Sequence, residues 1–208
     1  MKKILTTSLL SAAAVIMLLS GCADPKITRT GRNAIEQLLI STAVDRSVAK
    51  LDFRLLAGEK VRIDYSNLTT QVDKNYVQGA LESHISASGA IIALKAEEAA
   101  YVLRPICAAL ATEDNQLLVG TPPLPIPIPD VTLSLVIPEL PFFKRITRNG
   151  ICKLAVEVID AKTNKQARIV GPVISSSVNT NWVVLFLPFT TRDFKMGESG
   201  PTEIYWFE

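Results

Sequence analysis

Apolar residues recur along this chain of 208 residues with two different periods, and the periods predict helices first and strands later. Segment 33–51 has the three- to four-residue spacing of one helix face, formed by Ile40, Val44, Val48 and Leu51. Asn33 with Glu36 three residues on is the pattern of a capping box, so this helix begins there. Segment 73–88 predicts a second helix, with Asp73 as its N-cap and Gly89 at its end.

The later segments alternate with a period of two, or are short and apolar, and predict strands. These strands are expected over 59–65, 90–94, 100–112, 117–119, 131–137, 151–160 and 166–170. We predict a hairpin turn at 113–116, a second turn at 161–165 with a positive φ at Asn164, and an end of the last strand at Gly171-Pro172. The eight consecutive apolar residues 182–189 predict a strand buried on both faces or covered by a neighbouring subunit.

This order of elements predicts an α+β fold. We expect two layers, with the two N-terminal helices packed on a mixed, mostly antiparallel sheet and a Pro-rich extended insertion. Cutting at the expected processing site described below gives a signal peptide at 1–21, a lipidated tether at 22–32 and a single domain at 33–208.

The Pro-rich insertion covers 121–130 and has two interpretations. Its prolines cannot continue a helix and lack the donors of a central strand, so the segment runs extended. The three large aliphatic side chains either pack onto the body or form a docking strip for a partner, and they are Leu124, Ile126 and Ile128.

Segment 138–150 is predicted to be a basic loop with an aromatic tip. Phe142 and Phe143 stand there next to Lys144 and Arg145. The two rings either contact a membrane or a partner, or fold into the core.

The first 22 residues predict export and anchoring. Lys2 and Lys3 precede an apolar run over 9–19, which is shorter than the about 20 residues of a membrane-spanning helix and suits a signal peptide. The following Leu19-Ser20-Gly21-Cys22 resembles the lipobox of bacterial lipoproteins at all four positions. The resemblance implies cleavage before Cys22, a diacylglycerol on its thiol and further acylation (such as palmitate) of its amine. Several acyl chains anchor a protein stably, whereas one chain binds reversibly.

The same resemblance indicates a location. In this family an Asp directly after the Cys tends to retain the protein in the inner membrane, and here Ala23 follows Cys22 while Asp24 comes one place later. The expected location is the periplasmic face of the outer membrane, with the inner membrane or a Gram-positive surface as alternatives.

Charge excludes some partners. Without residues 1–21 the chain has twenty basic and twenty acidic residues. A neutral balance lacks the positive excess with which proteins bind nucleic acid. We expect no nucleic-acid partner and no cofactor.

Two cysteines remain besides Cys22. Cys107 and Cys152 both lie on the more apolar side of predicted strands, so either they form a disulfide, as the oxidising periplasm permits, or they are buried free thiols. Two Cys and one His, far apart in sequence, do not predict a metal site.

His84, the only histidine, falls within the apolar stripe of the second predicted helix. Such a residue is usually a hydrogen-bonded packing residue, and any Ser-His-Asp arrangement would need it. Asp64, Glu97 and Glu98 are the other acid–base candidates, of which the adjacent glutamates suit a solvated turn. We therefore expect that the protein is not an enzyme and has no catalytic residue. An enzyme centred on His84 is an alternative, ranked below the two hypotheses given at the end of this section.

Two further resemblances concern the body of the chain. Segments 73–89, 99–103 and 158–164 are similar to the small α+β module of the curli-secretion lipoprotein and of the N-terminal domain of the Tol translocation protein. Segments 28–51 and 150–163 resemble an uncharacterised bacterial lipoprotein family, a domain of unknown function. The Pro-rich segment and the apolar run 182–189 depart from the curli-type pattern, so pore formation is not carried over.

Together these patterns predict a membrane-anchored, non-enzymatic envelope lipoprotein that binds or scaffolds another envelope component. The second hypothesis is a subunit of a lipoprotein ring or export channel. The expected partners are the membrane, through the lipidated N-terminus, and another envelope protein or a second copy of the chain.

Overall fold

The computed structural model describes residues 32–68, 73–126 and 135–195, which form two helices and eight strands. The helices are α1 (Ala34–Val48) and α2 (Lys74–Ala87). The strands are β1 (Lys60–Ile63), β2 (Ile91–Ile92), β3 (Tyr101–Thr121), β4 (Leu124–Ile126), β5 (Leu135–Ile137), β6 (Leu140–Asp160), β7 (Gln166–Val184) and β8 (Leu187–Arg192). This content confirms the predicted mixed α+β class.

Helix α1 begins at the predicted capping box. The Asn33 side chain accepts from the backbone N–H groups of Ile35 and Glu36, and the Glu36 carboxylate accepts from the Asn33 N–H. Helix α2 begins differently from the prediction, because the Asp73 side chain makes no capping hydrogen bond. That carboxylate instead forms an ion pair of 2.7 Å with Arg32, which joins the starts of the two helices.

Six strands form one sheet in the order β2-β1-β3-β6-β7-β8. Strand β1 pairs in parallel with β2 and β3, and the pairs β3–β6, β6–β7 and β7–β8 are antiparallel, which confirms a mixed, mostly antiparallel sheet. Strands β4 and β5 form a separate antiparallel pair that follows the end of β3. Within the described residues, β1 pairs with β3 only over Tyr101–Leu103, so the longer part of β3 is an edge of the sheet.

Three predicted interruptions are wrong, because three strands are far longer than the sequence indicated. The predicted turn at 113–116 lies inside the 21-residue β3, and the predicted loop at 138–150 lies mostly inside the 21-residue β6. Gly171-Pro172 does not end β7, which passes through it with an irregular pairing. Continuous backbone pairing between β3, β6 and β7 overrides the local polarity of these segments.

The hydrophobic core lies where α1 and α2 meet one half of this sheet. Helix α2 contributes Val77, Leu81 and Ile85, and the strands contribute Val61, Leu103, Leu154 and Val156, all with no exposed surface. Helix α1 adds Ala43 and Val44. The core therefore covers the part of the sheet near β1 and leaves the far part of β3, β6 and β7 outside it.

Small residues of the sheet let α1 approach closely. A Cβ at Gly150 would collide with the Leu39 carbonyl, so only glycine fits there. The Ser177 hydroxyl donates to the Leu39 carbonyl at 2.6 Å, and the Ser47 hydroxyl donates to the Cys152 carbonyl at 3.1 Å. These contacts fix α1 across β6 and β7 with its amino end toward the far part of the sheet.

Candidate functional site

The structure describes most of the residues that the sequence indicated as candidates for a functional site. Cys22 and Ile128 lie outside the described residues. The cysteine pair and His84 lie in the core half of the sheet, and Leu124, Ile126, Phe142 and Phe143 lie in the far half.

Cys107 and Cys152 are neighbours on adjacent strands. Cys107 pairs with Leu154 and Cys152 pairs with Leu110, so the cysteines lie diagonally across β3 and β6, next to a bulge after Cys107. Both are buried, and the structure contains no disulfide between them. A hydrogen bond between the two thiols and burial raise the pKa of Cys107, so this thiol stays protonated. The disulfide stays a prediction, and the structure places the two residues side by side.

His84 is a packing residue. Its Nε2 lies 2.8 Å from the Leu51 carbonyl oxygen, and its ring meets Phe53 edge-on at 5.9 Å between centroids. These contacts hold α2 against the segment that follows α1. The predicted hydrogen-bonded packing role is therefore the one that the geometry gives.

Two of the three carboxylates that were acid–base candidates, Asp64 and Glu98, form ion pairs. Hydrogen bonds from Ser66, together with Arg104, lower the pKa of Asp64, which is 3.4 Å from the Arg104 guanidinium. Glu98 pairs with Lys60 at 2.9 Å. A general acid at neutral pH needs a raised pKa instead. In the described ranges no three potential metal ligands lie together.

A groove of about 480 Å³ lies at the start of the two helices. It is lined by Gln37, Leu38, Asp73 and Tyr76, among others. The Tyr76 hydroxyl donates to Asp45, and Asp73 is paired with Arg32. The polar groups of this groove thus already have protein partners.

The far end of the sheet exposes large apolar side chains. Five of them lie at the start of β6 and around the β7–β8 hairpin, are between 49 % and 68 % exposed, and are here called the apolar tip: Leu140, Phe142, Leu185, Phe186 and Leu187. Five more, between 40 % and 55 % exposed, lie on the end of β3 and on the β4–β5 pair and are called the apolar ribbon: Leu117, Val119, Leu124, Val136 and Ile137. Contiguous exposed apolar surface in a protein marks an interaction site.

The apolar ribbon includes part of the predicted Pro-rich strip. Residues 124–126 are extended, as predicted, and pair with β5. Leu124 does not pack onto the body, since it is about half exposed, so the packed interpretation is wrong for this residue. Exposure is what the docking interpretation requires.

The β7–β8 hairpin turns on two bulky residues. Leu185 and Phe186 form a two-residue turn, with φ of 48° and 68°. Turns of this kind favour Asn-Gly, because residues with a large side chain are strained at positive φ. Strain of this sort persists mainly at functional positions. Two large apolar residues at the apex are therefore better explained by a contact outside the chain than by folding.

An aromatic cluster lies just below the tip. Trp182 stacks on Phe189 with 6.0 Å between ring centroids and meets Phe143 edge-on at the same distance. The Arg145 guanidinium lies 5.8 Å from the centre of the Trp182 ring. Phe142, on the other side of β6, contacts Phe186 at 5.8 Å. The predicted aromatic loop is thus part of a strand, and its rings join the hairpin formed by the run 182–189.

Charged residues are few in the described far end of the sheet and become more frequent farther from it. In the described parts of 117–143 the one charged residue is Glu139, which pairs with Lys144 at 2.7 Å, and 181–191 contains none. Farther from the end, Arg148 pairs with Asp114 at 3.2 Å, and Arg192 follows the uncharged run. The far end is therefore mainly apolar, with the Glu139–Lys144 pair beside the tip, Arg145 at the level of Trp182, and the Arg148–Asp114 pair farther back.

The sequence missed this arrangement because the run 182–189 has no Gly, Asn or Asp at the apex. The expectation of a strand buried on both faces is wrong, since the run forms a hairpin with its apex at the surface, and cover by a neighbouring subunit stays a prediction. The signal that was present is the lack of charge in two separate segments, which the pairing of β3, β6 and β7 brings to one end.

The fold and the exposed far end define a mixed α+β protein with an extended sheet and an apolar interaction surface. The chain belongs to a family of unknown function, DUF6655, whose model matches residues 16–199. This confirms the predicted membership of an uncharacterised domain family. No curated protein matches the chain. Neither described helix has the length and apolarity needed to cross a membrane.

Proposed function

We propose that this protein is a membrane-anchored lipoprotein of the bacterial cell envelope that binds or scaffolds another envelope component and is not an enzyme. Its body is a two-layer domain, with the N-terminal helices on one face of the sheet, held by a lipid on Cys22. The favoured location is the periplasmic face of the outer membrane. The family match, which starts at residue 16 and so includes the lipobox, is consistent with an anchor common to the family.

The observation that carries this proposal is the exposed apolar far end of the sheet. A protein that only folded and remained in water would not need Phe186 or Leu187 at the surface. Three of the acid–base candidates, in contrast, are paired or packed, namely Asp64, Glu98 and His84. Binding is therefore better supported than catalysis.

Lipidation and binding are tested in cells. We expect the full chain to incorporate labelled palmitate and to fractionate with outer membranes, and Cys22→Ala to lose the label. A photo-crosslinking residue in the apolar ribbon, at Leu117 or Val136, is expected to capture a discrete envelope protein reproducibly. Absence of label in the full chain, or of any reproducible adduct across such positions, would contradict the proposal.

A second function, a subunit of a lipoprotein ring or export channel, is favoured by the edges of the sheet. β8 is an edge strand, and β3 is an edge beyond Leu103 within the described residues. Unpaired strand edges are templates for pairing with another chain. A strictly monomeric mass of the protein in mild detergent would exclude this function.

A further inference from the structure

We infer that the apolar tip inserts into the surface of the same bilayer that holds the lipid on Cys22, so that the protein contacts the membrane at two points. This inference rests on the proposed lipid anchor. It identifies the lipid bilayer as the surface that the apolar tip contacts, and it orients the folded domain with the tip toward the membrane.

The first argument is the layering of the far end. The apex residues Leu185 and Phe186 are apolar and exposed, and the run 181–191 has no charge. Trp182 lies three to four residues below the apex, a distance of about 10 Å along a strand. Amphipathic elements on membranes insert about 5–10 Å, and tryptophan concentrates at the level of the lipid headgroups. The spacing thus fits insertion into one leaflet.

The second argument is the position of the charged residues. Arg145 lies against the Trp182 ring, at headgroup level in this orientation, and Lys144 is paired with Glu139. A cationic side chain beside an interfacial ring meets lipid phosphates without entering the hydrocarbon. The Glu139–Lys144 pair lies nearer the apex than Trp182, so it enters the interface as a neutral ion pair, and no isolated charge of the described tip has to enter.

The third argument is where the chain enters the body. On α1, Leu39 contacts Gly150 of β6, and Ser47, farther along the helix, contacts Cys152 of β6. Since Gly150 is the nearer of the two to the far end of the sheet, the amino end of α1 faces that end. Phe142 precedes Gly150 by eight residues on β6, about 27 Å at strand spacing. Cys22 precedes Arg32 by ten residues, which reach at most about 35 Å. The anchor therefore enters from the side of the tip and has enough length to share its plane.

The experiment uses the full lipidated protein in vesicles of phosphatidylcholine with brominated acyl chains, which quench nearby tryptophan. The reporter is Phe186→Trp in a chain that also carries Trp182→Phe and Trp206→Phe. The matched control is Leu94→Trp in the same background, because Leu94 is fully exposed and follows β2, at the opposite end of the sheet. We expect at least about twofold quenching at the tip and almost none at the control position.

Three outcomes would overturn the inference. One is equal, weak quenching of both reporters in protein whose mass confirms acylation, which leaves the anchor intact and removes the second contact. Another is a tip reporter shielded from both brominated lipid and soluble acrylamide, which means that a second copy covers the tip. The last is weak quenching, equal to that of the control, of the native Trp182, which Trp206→Phe leaves as the reporter even if Phe186→Trp folds poorly. A mass without acyl chains contradicts the proposed function instead.

Discussion

The strands β3, β6 and β7 pass through two different environments along their length. In the half near β1, the inward side chains of β6 are buried under α1 and α2, and Cys152, Leu154 and Val156 have no exposed surface. In the other half the same strands continue past the helices and end in exposed Leu and Phe side chains. Apolar residues stabilise the fold in the first half, and in the second they are available to a partner.

An apolar residue in the core half stabilises the fold through burial, whereas an exposed apolar residue in the far half does not. Buried area contributes about 25 cal/mol per Å² to folding, and an exposed side chain gains little of it. The apex adds strain, since Leu185 and Phe186 adopt positive φ. The two halves should therefore respond differently to substitution.

The largest expected difference is between two leucines. Leu154→Ala, in the core, is expected to lower the free energy of unfolding by about 3 kcal/mol, because it leaves a cavity. Leu187→Ala, in the tip, is expected to change it by less than about 0.5 kcal/mol. Urea unfolding of both variants measures the difference. A loss at Leu187 as large as at Leu154 would mean that the tip is part of the folding core.

The next effect concerns the contact between α1 and β6. Gly150→Ala is expected to cost about 2 kcal/mol, because the added methyl meets the rigid backbone of Leu39. Gly79→Ala is the matched control: it faces open space on α2 and should stabilise the protein by about 0.5–1 kcal/mol. Thermal unfolding compares them. If Gly150→Ala is neutral, α1 does not pack on β6 at this point.

A smaller effect of opposite sign is expected at the apex. Replacing Leu185 by Asn and Phe186 by Gly should raise the free energy of unfolding by about 1 kcal/mol, because both residues accept positive φ. The control is Asn164→Gly, at φ 52° in the β6–β7 turn, which should change stability by less than about 0.5 kcal/mol. A large destabilisation by the apex variant would show that these side chains serve folding.

A further prediction, on a rate instead of on stability, concerns the thiols of the core half. After reduction, Cys107 and Cys152 should be alkylated at pH 8 at least about a hundredfold more slowly than a free thiol, because labelling requires opening of the core half. Timed alkylation followed by mass measurement checks this. Alkylation of the unfolded protein without prior reduction then distinguishes two free thiols, which are labelled, from a disulfide, which is not. Rapid labelling of the native protein would show that the core half opens easily.

The sequence predicted the parts that depend on local patterns. The helices, the capping box at Asn33 and the positive φ at Asn164 follow from side chains within a few residues of each other. The packing role of His84 followed from its place in an apolar helical stripe. Each of these features depends on residues within one short segment, so the sequence of that segment is sufficient to predict it.

Strand length and the location of the apolar end were decided only by tertiary structure. The polar residues at 113–116 look like a turn, yet they extend β3 because β6 pairs with every one of them. The run 182–189 looks like a buried strand, yet it folds into a hairpin whose apex nothing in the described chain covers. Burial depends on which elements lie above a strand, and no local pattern contains that information. The sequence alone determined the two helices and the turn at Asn164, whereas the packing of α1 and α2 on only half of the sheet decided which apolar residues form the core and which form the tip.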